Sequence, residues 1–143
     1  MSNKSPLSFE QIIGYTFKNK KYLKIALTHK SFIDDNPSYE SNQRYEFLGD
    51  AILDFDLTNY LFNKYPDLEE GSLTKIRSSA VNQAALVSLG KKISIGDYLY
   101  LSKPEESTGG RMKDSIIEDA VEALIAALFF DGGLDVVNNF VSK

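Results

Sequence analysis

Asn42-Gln43-Arg44-Tyr45-Glu46-Phe47-Leu48-Gly49-Asp50-Ala51-Ile52-Leu53 opens the longest periodic segment of the chain. From about Asn42 to Tyr65 the apolar residues Phe47, Leu48, Ala51, Ile52, Phe55, Leu61 and Phe62 recur at helical spacing, and Pro66 ends the run. The pattern predicts one long, half-buried helix. Glu46 and Asp50 lie four residues apart within it, so a rotation of about 100° per residue places both carboxylates on one face, one turn apart. Phe47, Leu48, Ala51 and Ile52 surround Asp50, and no Lys, Arg or His lies between Tyr45 and Asn63 to neutralise it locally.

The same arrangement returns near the other end of the chain. Ile116 to Phe130 reads as a strongly apolar helix capped by Asp114 or Ser115 and stopped by Asp131-Gly132-Gly133. Asp119 and Glu122 stand three apart among Ile116, Ile117, Ala120, Val121, Ala123, Leu124 and Ile125, again without a cation in the helix. Glu122 falls in a run that is apolar nearly all round, which predicts its burial. An ionised carboxylate buried without a partner is costly, so it protonates, pairs with a distant cation or binds a metal ion. Two helices offering two carboxylates each make an oxygen cage suited to Mg²⁺ or Mn²⁺. A solvent-facing acidic stripe including Glu118 is the competing reading, and spacing alone does not choose between them.

Between these helices the chain reads as all-α, with weak strand signals throughout. Ser8 with Gln11 resembles a capping box for a short helix closed by Gly14, and Asn19 caps a second. Ser72 is the predicted cap of one helix running through Leu73 to an αL stop at Gly90. Lys91 to Lys103 is expected to be a short helix or irregular, Pro104 to Lys113 a mobile polar loop, and a last helix starts near Leu134. No repeat or flexible linker divides the 143 residues, so residues 1–143 are expected to form one domain.

Composition narrows the function classes. With no cysteine, the chain has no disulfide framework, Cys-ligated zinc or thiol nucleophile, which suits a reducing cytoplasm. Neither a signal-peptide core nor an apolar run of membrane-spanning length is present, so no membrane association is expected. A net charge of −4 and an isoelectric point near 5.0 lack the overall basic footprint of an autonomous nucleic-acid binder. Basic residues do cluster at Lys18, Lys20, Lys21 and Lys24, and at Arg111 and Lys113. Cations held by the acidic helices, or a separate basic module, are the two ways to offset the deficit.

The segment from Asn42 to Leu53 resembles the ribonuclease III signature, whose usual form is Asn-Glu-Arg-Leu-Glu-Phe-Leu-Gly-Asp-Ala-Val-Leu. Further landmarks follow in the family's order: Leu27-Thr28-His29-Lys30-Ser31, Glu70-Gly71 with Leu73 to Arg77, Ala80-Val81-Asn82, Asp119 to Ile125, and Asp131-Gly132-Gly133. The resemblance implies an all-α ribonuclease III endonuclease fold, a multi-helix bundle that works as a homodimer. It implies Mg²⁺-dependent hydrolysis of double-stranded RNA, with Mn²⁺ able to substitute, leaving 5′-phosphate and 3′-hydroxyl ends. Glu46, Asp50, Asp119 and Glu122 match the family's metal-binding and catalytic acids, and Glu70 matches an auxiliary acidic position. Gln43 stands where the family usually has Glu, which weakens any auxiliary cation site. Many bacterial members continue into a double-stranded RNA-binding domain; as the chain ends at Lys143, the expectation is a catalytic domain without that module. Arg44, Lys75, Arg77, Arg111 and Lys113 are the candidate RNA-backbone contacts.

Other classes fit poorly. His29 is the only histidine, which excludes a histidine-paired relay and the two Glu-x-x-His motifs of a di-iron bundle; a structural hydrogen-bonding role is expected for it. The best EF-hand candidate, from Asp54, has Asn59 where Gly is needed and Tyr65 in place of the bidentate Glu. A P-loop is absent. The remaining alternative is a catalytically inactive RNA-binding or scaffolding module on the same fold, against which the four intact acids speak.

Overall fold

Among the described residues the chain forms eight α-helices: α1 (Pro6–Ile13), α2 (Lys20–Ala26), α3 (Lys30–Ile33), α4 (Gln43–Lys64), α5 (Glu70–Ala80), α6 (Gln83–Lys92), α7 (Lys103–Ser107) and α8 (Asp114–Val141). Two short 3₁₀ turns, Ile95–Tyr98 and Gly110–Met112, flank α7. The computed structural model describes residues 5–142, so both ends of the predicted 1–143 domain lie outside the described residues. Extended pairing is limited to one isolated parallel bridge between Thr28 and Tyr100.

α8 is the axis of the fold. Ala120, Val121 and Ala123 to Leu128 are fully buried, and α2, α4 and α6 pack round them. Each fully buried Leu or Ile side chain in this layer contributes about 1.5–3 kcal/mol of transfer free energy. Two glycines allow the close crossings. A Cβ at Gly49 of α4 would lie 1.7 Å from the carbonyl oxygen of Glu122, and one at Gly90 of α6 would lie 2.3 Å from the Cγ2 of Ile117. Any larger residue at Gly49 therefore pushes α4 off α8 at the turn that carries Glu122.

Several local expectations hold. Gly14 closes α1 at φ 73°, Asn19 caps α2 by accepting from Lys21 N at 3.0 Å, and α4 occupies the predicted segment. Gly133, at φ 80° and ψ −173°, breaks the axis of α8 at the predicted stop, after which helical structure resumes to Val141.

Others need correction. The cap of α1 is Ser5, whose Oγ accepts from Leu7 N at 3.2 Å with Pro6 in the first helical position, while Ser8 lies inside the helix. The predicted single helix from Leu73 to Gly90 is two. Val81 and Asn82 are extended, and the Asn82 side chain accepts from Ala85 N at 2.9 Å to start α6, a local bond that competes with helix continuation. The first of the two helices begins at Glu70 after Glu69, so Ser72 is not its cap. Gly90 is a packing glycine within α6, not a left-handed terminus.

The segment Pro104 to Lys113 is not a loose loop. Ser102 caps α7, and two ion pairs close the stretch: Arg111 Nε to Glu106 at 2.6 Å and Lys113 Nζ to Glu105 at 2.6 Å. The far half of α4 and all of α5 differ from the rest. α5 buries none of its residues, and Phe55 and Phe62 are 56% and 69% exposed.

Candidate metal centre

Asn42 fixes where the acid-bearing helix begins. Its side-chain amide donates to Ala26 O at 3.0 Å and its backbone N–H to Thr28 O at 2.8 Å, tying the start of α4 to the end of α2. Tyr45 then packs edge-on against Phe130, which joins the first turn of α4 to α8. With the crossing set at Gly49, Glu46 and Asp50 face Asp119 and Glu122.

One carboxylate oxygen each from Glu46, Asp119 and Glu122 lies within 4.8 Å of the others. Asp50 joins from the more exposed side through a carboxyl–carboxyl hydrogen bond to Glu122. A second such bond links Glu46 to Asp119. Each pair thus takes one acid from α4 and one from α8, and each bond requires a proton on one of its two members.

The electrostatics follow from that crowding. Glu122 is 7% exposed. Burial first, then the hydrogen bond with Asp50 and the charges of Asp50, Glu46 and Glu118, push its carboxyl up to about 9. Glu46 is raised by burial, then by the charge of Asp119 and the hydrogen bond with it, with Asp50 and Glu118 adding to the effect. Among the described residues no Lys or Arg forms an ion pair with any of the four. A compact oxygen-only donor set with surplus negative charge fits a hard divalent cation.

The other sequence candidates are placed differently. Glu70, the first residue of α5, lies outside the converging three and lines a groove of about 440 Å³ with Thr58, Leu61, Phe62, Leu68, Leu73, Thr74 and Arg77. Arg44 and Lys75 are exposed. Arg77 ties α5 to α4, donating to Thr58 Oγ1 at 2.9 Å and pairing with Asp54 at 3.5 Å. Arg111, expected on the surface, is only 8% exposed: its guanidinium donates to Gly96 O, Leu99 O and Glu106, so it holds the turns before α8 together. Lys113 pairs with Glu105.

His29 has a structural role, as expected. Its Nδ1 accepts from Ser31 N at 3.1 Å to cap α3, and burial lowers its pKa, which favours the neutral ring this cap needs. Asp131, expected only as part of a helix stop, is also a structural anchor. Its carboxylate accepts from the Tyr15 hydroxyl, Lys18 N and Asn19 N, fixing the α1–α2 connection to α8. Burial works against the charge, but these three donors hold the acid below its usual range.

The chain is similar to known proteins in sequence and fold. The Ribonuclease-III-like family model matches residues 19–143. Ribonuclease 3 of Clostridium botulinum (strain Eklund 17B / Type B) is 48% identical over 132 residues, 92% of this chain and 57% of that protein. Ribonuclease 3 of Bacillus velezensis is 44% identical over 135 residues, 93% of this chain and 54% of that protein. The chain thus spans little more than half the length of these curated relatives. A crystal structure of the nuclease domain of ribonuclease III from Campylobacter jejuni superposes with a TM-score of 0.86 at 40% identity, covering 96% of this chain and 90% of that one. Another structure of that domain, described as flexible in a region involved in dimer formation, gives 0.87 at 40% identity, covering 95% and 92%. By fold, sequence and the order of its motifs, the chain belongs to the ribonuclease III family and corresponds to its nuclease domain.

Proposed function

We propose that residues 1–143 form one catalytic domain that hydrolyses double-stranded RNA with a divalent cation, Mg²⁺ first and Mn²⁺ as a substitute, leaving 5′-phosphate and 3′-hydroxyl ends. The observation that carries this reading is the meeting of Glu46, Asp119 and Glu122 within 4.8 Å, with no ion pair to a Lys or Arg among the described residues. Asp119 and Glu122 would hold the ion from α8, with Glu46 and Asp50 completing the set from α4. When bound, Mg²⁺ supplies Lewis-acid stabilisation of the charge that builds on the phosphoryl oxygens during hydrolysis. The chain's own part is to present deprotonated oxygens on two rigid helices whose spacing is locked at Gly49, and to orient the attacking water by a carboxylate oxygen of Glu46.

An A-form duplex is recognised by shape and by phosphate and 2′-hydroxyl contacts, so no base-reading motif is needed. Arg44 and Lys75 are the exposed candidates for such contacts. The uncovered apolar surface of α4 and α5 supports a homodimer that buries Phe55, Phe62 and Leu68. The cysteine-free composition supports a cytoplasmic location. Among the described residues no helix is long and apolar enough to cross a membrane.

Cleavage of a long RNA duplex in Mg²⁺, in Ca²⁺ and in chelator, wild type beside Glu122→Gln, tests the reading. Cutting by the wild type in Mg²⁺ alone supports it; equal cutting in chelator contradicts it.

A further inference from the structure

A fifth carboxylate stands at the cluster and has a partner of its own. Glu118 lies four residues before Glu122 on α8, the spacing that sets two side chains on one face one turn apart. It is half-buried, and its charge bears on Glu46 and Glu122. Adding an acid to four that form no ion pair with a Lys or Arg among the described residues only increases their repulsion in the ion-free protein.

Yet the fold reaches across to hold it there. Gln83 of α6 donates from Nε2 to Oε1 of Glu118 at 3.0 Å. Gln83 is the first residue of its helix, where the extended backbone and capping side chain of Asn82 set the helix start. Further along α6, Gly90 seats the same helix against Ile117. The donor to Glu118 therefore sits on an element seated against α8, and among the described residues the hydrogen bond to Glu118 engages Oε1. Hard cations such as Mg²⁺ keep several of their waters, and those waters donate hydrogen bonds to nearby anionic groups.

We propose that Glu118, oriented by Gln83, is a positioning residue of the metal centre: an outer carboxylate that accepts hydrogen bonds from the cation's waters and tightens its binding without ligating it. The inference rests on the reading of the four acids as a metal site. Calorimetric titration of Mn²⁺ and Mg²⁺ into the RNA-free protein tests it, with the metal-induced rise in melting temperature as a parallel readout. Glu118→Gln, which keeps the acceptor for Gln83, weakens Kd about tenfold, Gln83→Ala weakens it roughly threefold, and Glu122→Gln abolishes binding. Binding by Glu118→Gln within twofold of wild type, with Glu122→Gln inactive in binding, overturns the outer role while leaving the metal site standing. Complete loss in Glu118→Gln with an unchanged circular dichroism spectrum also overturns it, because that is the behaviour of a direct ligand. A wild type that binds neither ion removes the metal-site reading itself.

Discussion

Glu10 and Glu122 are buried almost equally, at 4% and 7% exposed, in opposite surroundings. Glu10 accepts from Phe17 N at 2.7 Å and pairs with Lys20 at 2.8 Å, so its charge is satisfied within the chain. Glu122 lies among Glu46, Asp50 and Asp119 and, among the described residues, forms no ion pair with a Lys or Arg. The first arrangement is complete as folded and joins α1 to the start of α2. The second crowds acids that form no ion pair among the described residues and raise one another's pKa, the setting in which we propose that a cation binds.

The largest expected effect comes from removing charge at the incomplete site. Glu122→Gln lowers duplex RNA cleavage about a thousandfold or more, since a lost cation forfeits several kcal/mol of charge stabilisation; Glu10→Gln leaves the cleavage rate per folded molecule within a few-fold. A loss of equal size in both variants, measured at matched folded concentration, breaks the contrast.

Next comes the crossing that assembles the cluster. Gly49→Ala places a methyl against the Glu122 carbonyl, costs about 3 kcal/mol in urea unfolding, and reduces cleavage beyond the loss of folded protein. Unchanged stability would show that the helices yield there.

The stability effects of the two acids then have opposite signs. In chelator at pH 8, Glu122→Gln stabilises the fold by about 1–3 kcal/mol because folding no longer has to protonate a carboxyl that is ionised in the unfolded chain. Glu10→Gln destabilises it by about 1–2 kcal/mol through weakening of a charged hydrogen-bond pair.

A smaller effect is seen in the pH profile. The folded-state value of about 9 for Glu122 lies above the ordinary 4.5, so its protonated form is favoured by folding. The stability linked to that proton is fully present below about pH 4.5 and is lost as pH rises towards 9. Metal-free wild type therefore melts progressively lower across that window, and both saturating Mn²⁺ and Glu122→Gln flatten the decline. A slope unaltered by either would contradict the assignment of the effect to Glu122.

Much of this was legible in the residues. The long run from Asn42, the four acids at helical spacing and the burial of Glu122 all follow from a 3.6-residue period, because a long helix repeats its signal many times. Features set by tertiary contact were not. Nothing in Ala80-Val81-Asn82-Gln83 carries a Gly or Pro break, and the helix is divided there by a side-chain cap. Gly90 resembled a terminus because a glycine needed for close approach and one needed for positive φ are identical in sequence. Arg111 sat in a polar stretch that looked mobile, and only the fold supplies the two carbonyls and the carboxylate that bury it. Glu70 fell in a recognisable motif, and only the fold shows that it lines the α4–α5 groove.

The most direct measurement is anomalous difference density from crystals grown with Mn²⁺. A peak between α4 and α8, about 2.1 Å from carboxylate oxygens of Asp119 and Glu122, is the predicted result. Density empty at that place at saturating Mn²⁺, with the acids still hydrogen-bonded to one another in pairs, would contradict the account.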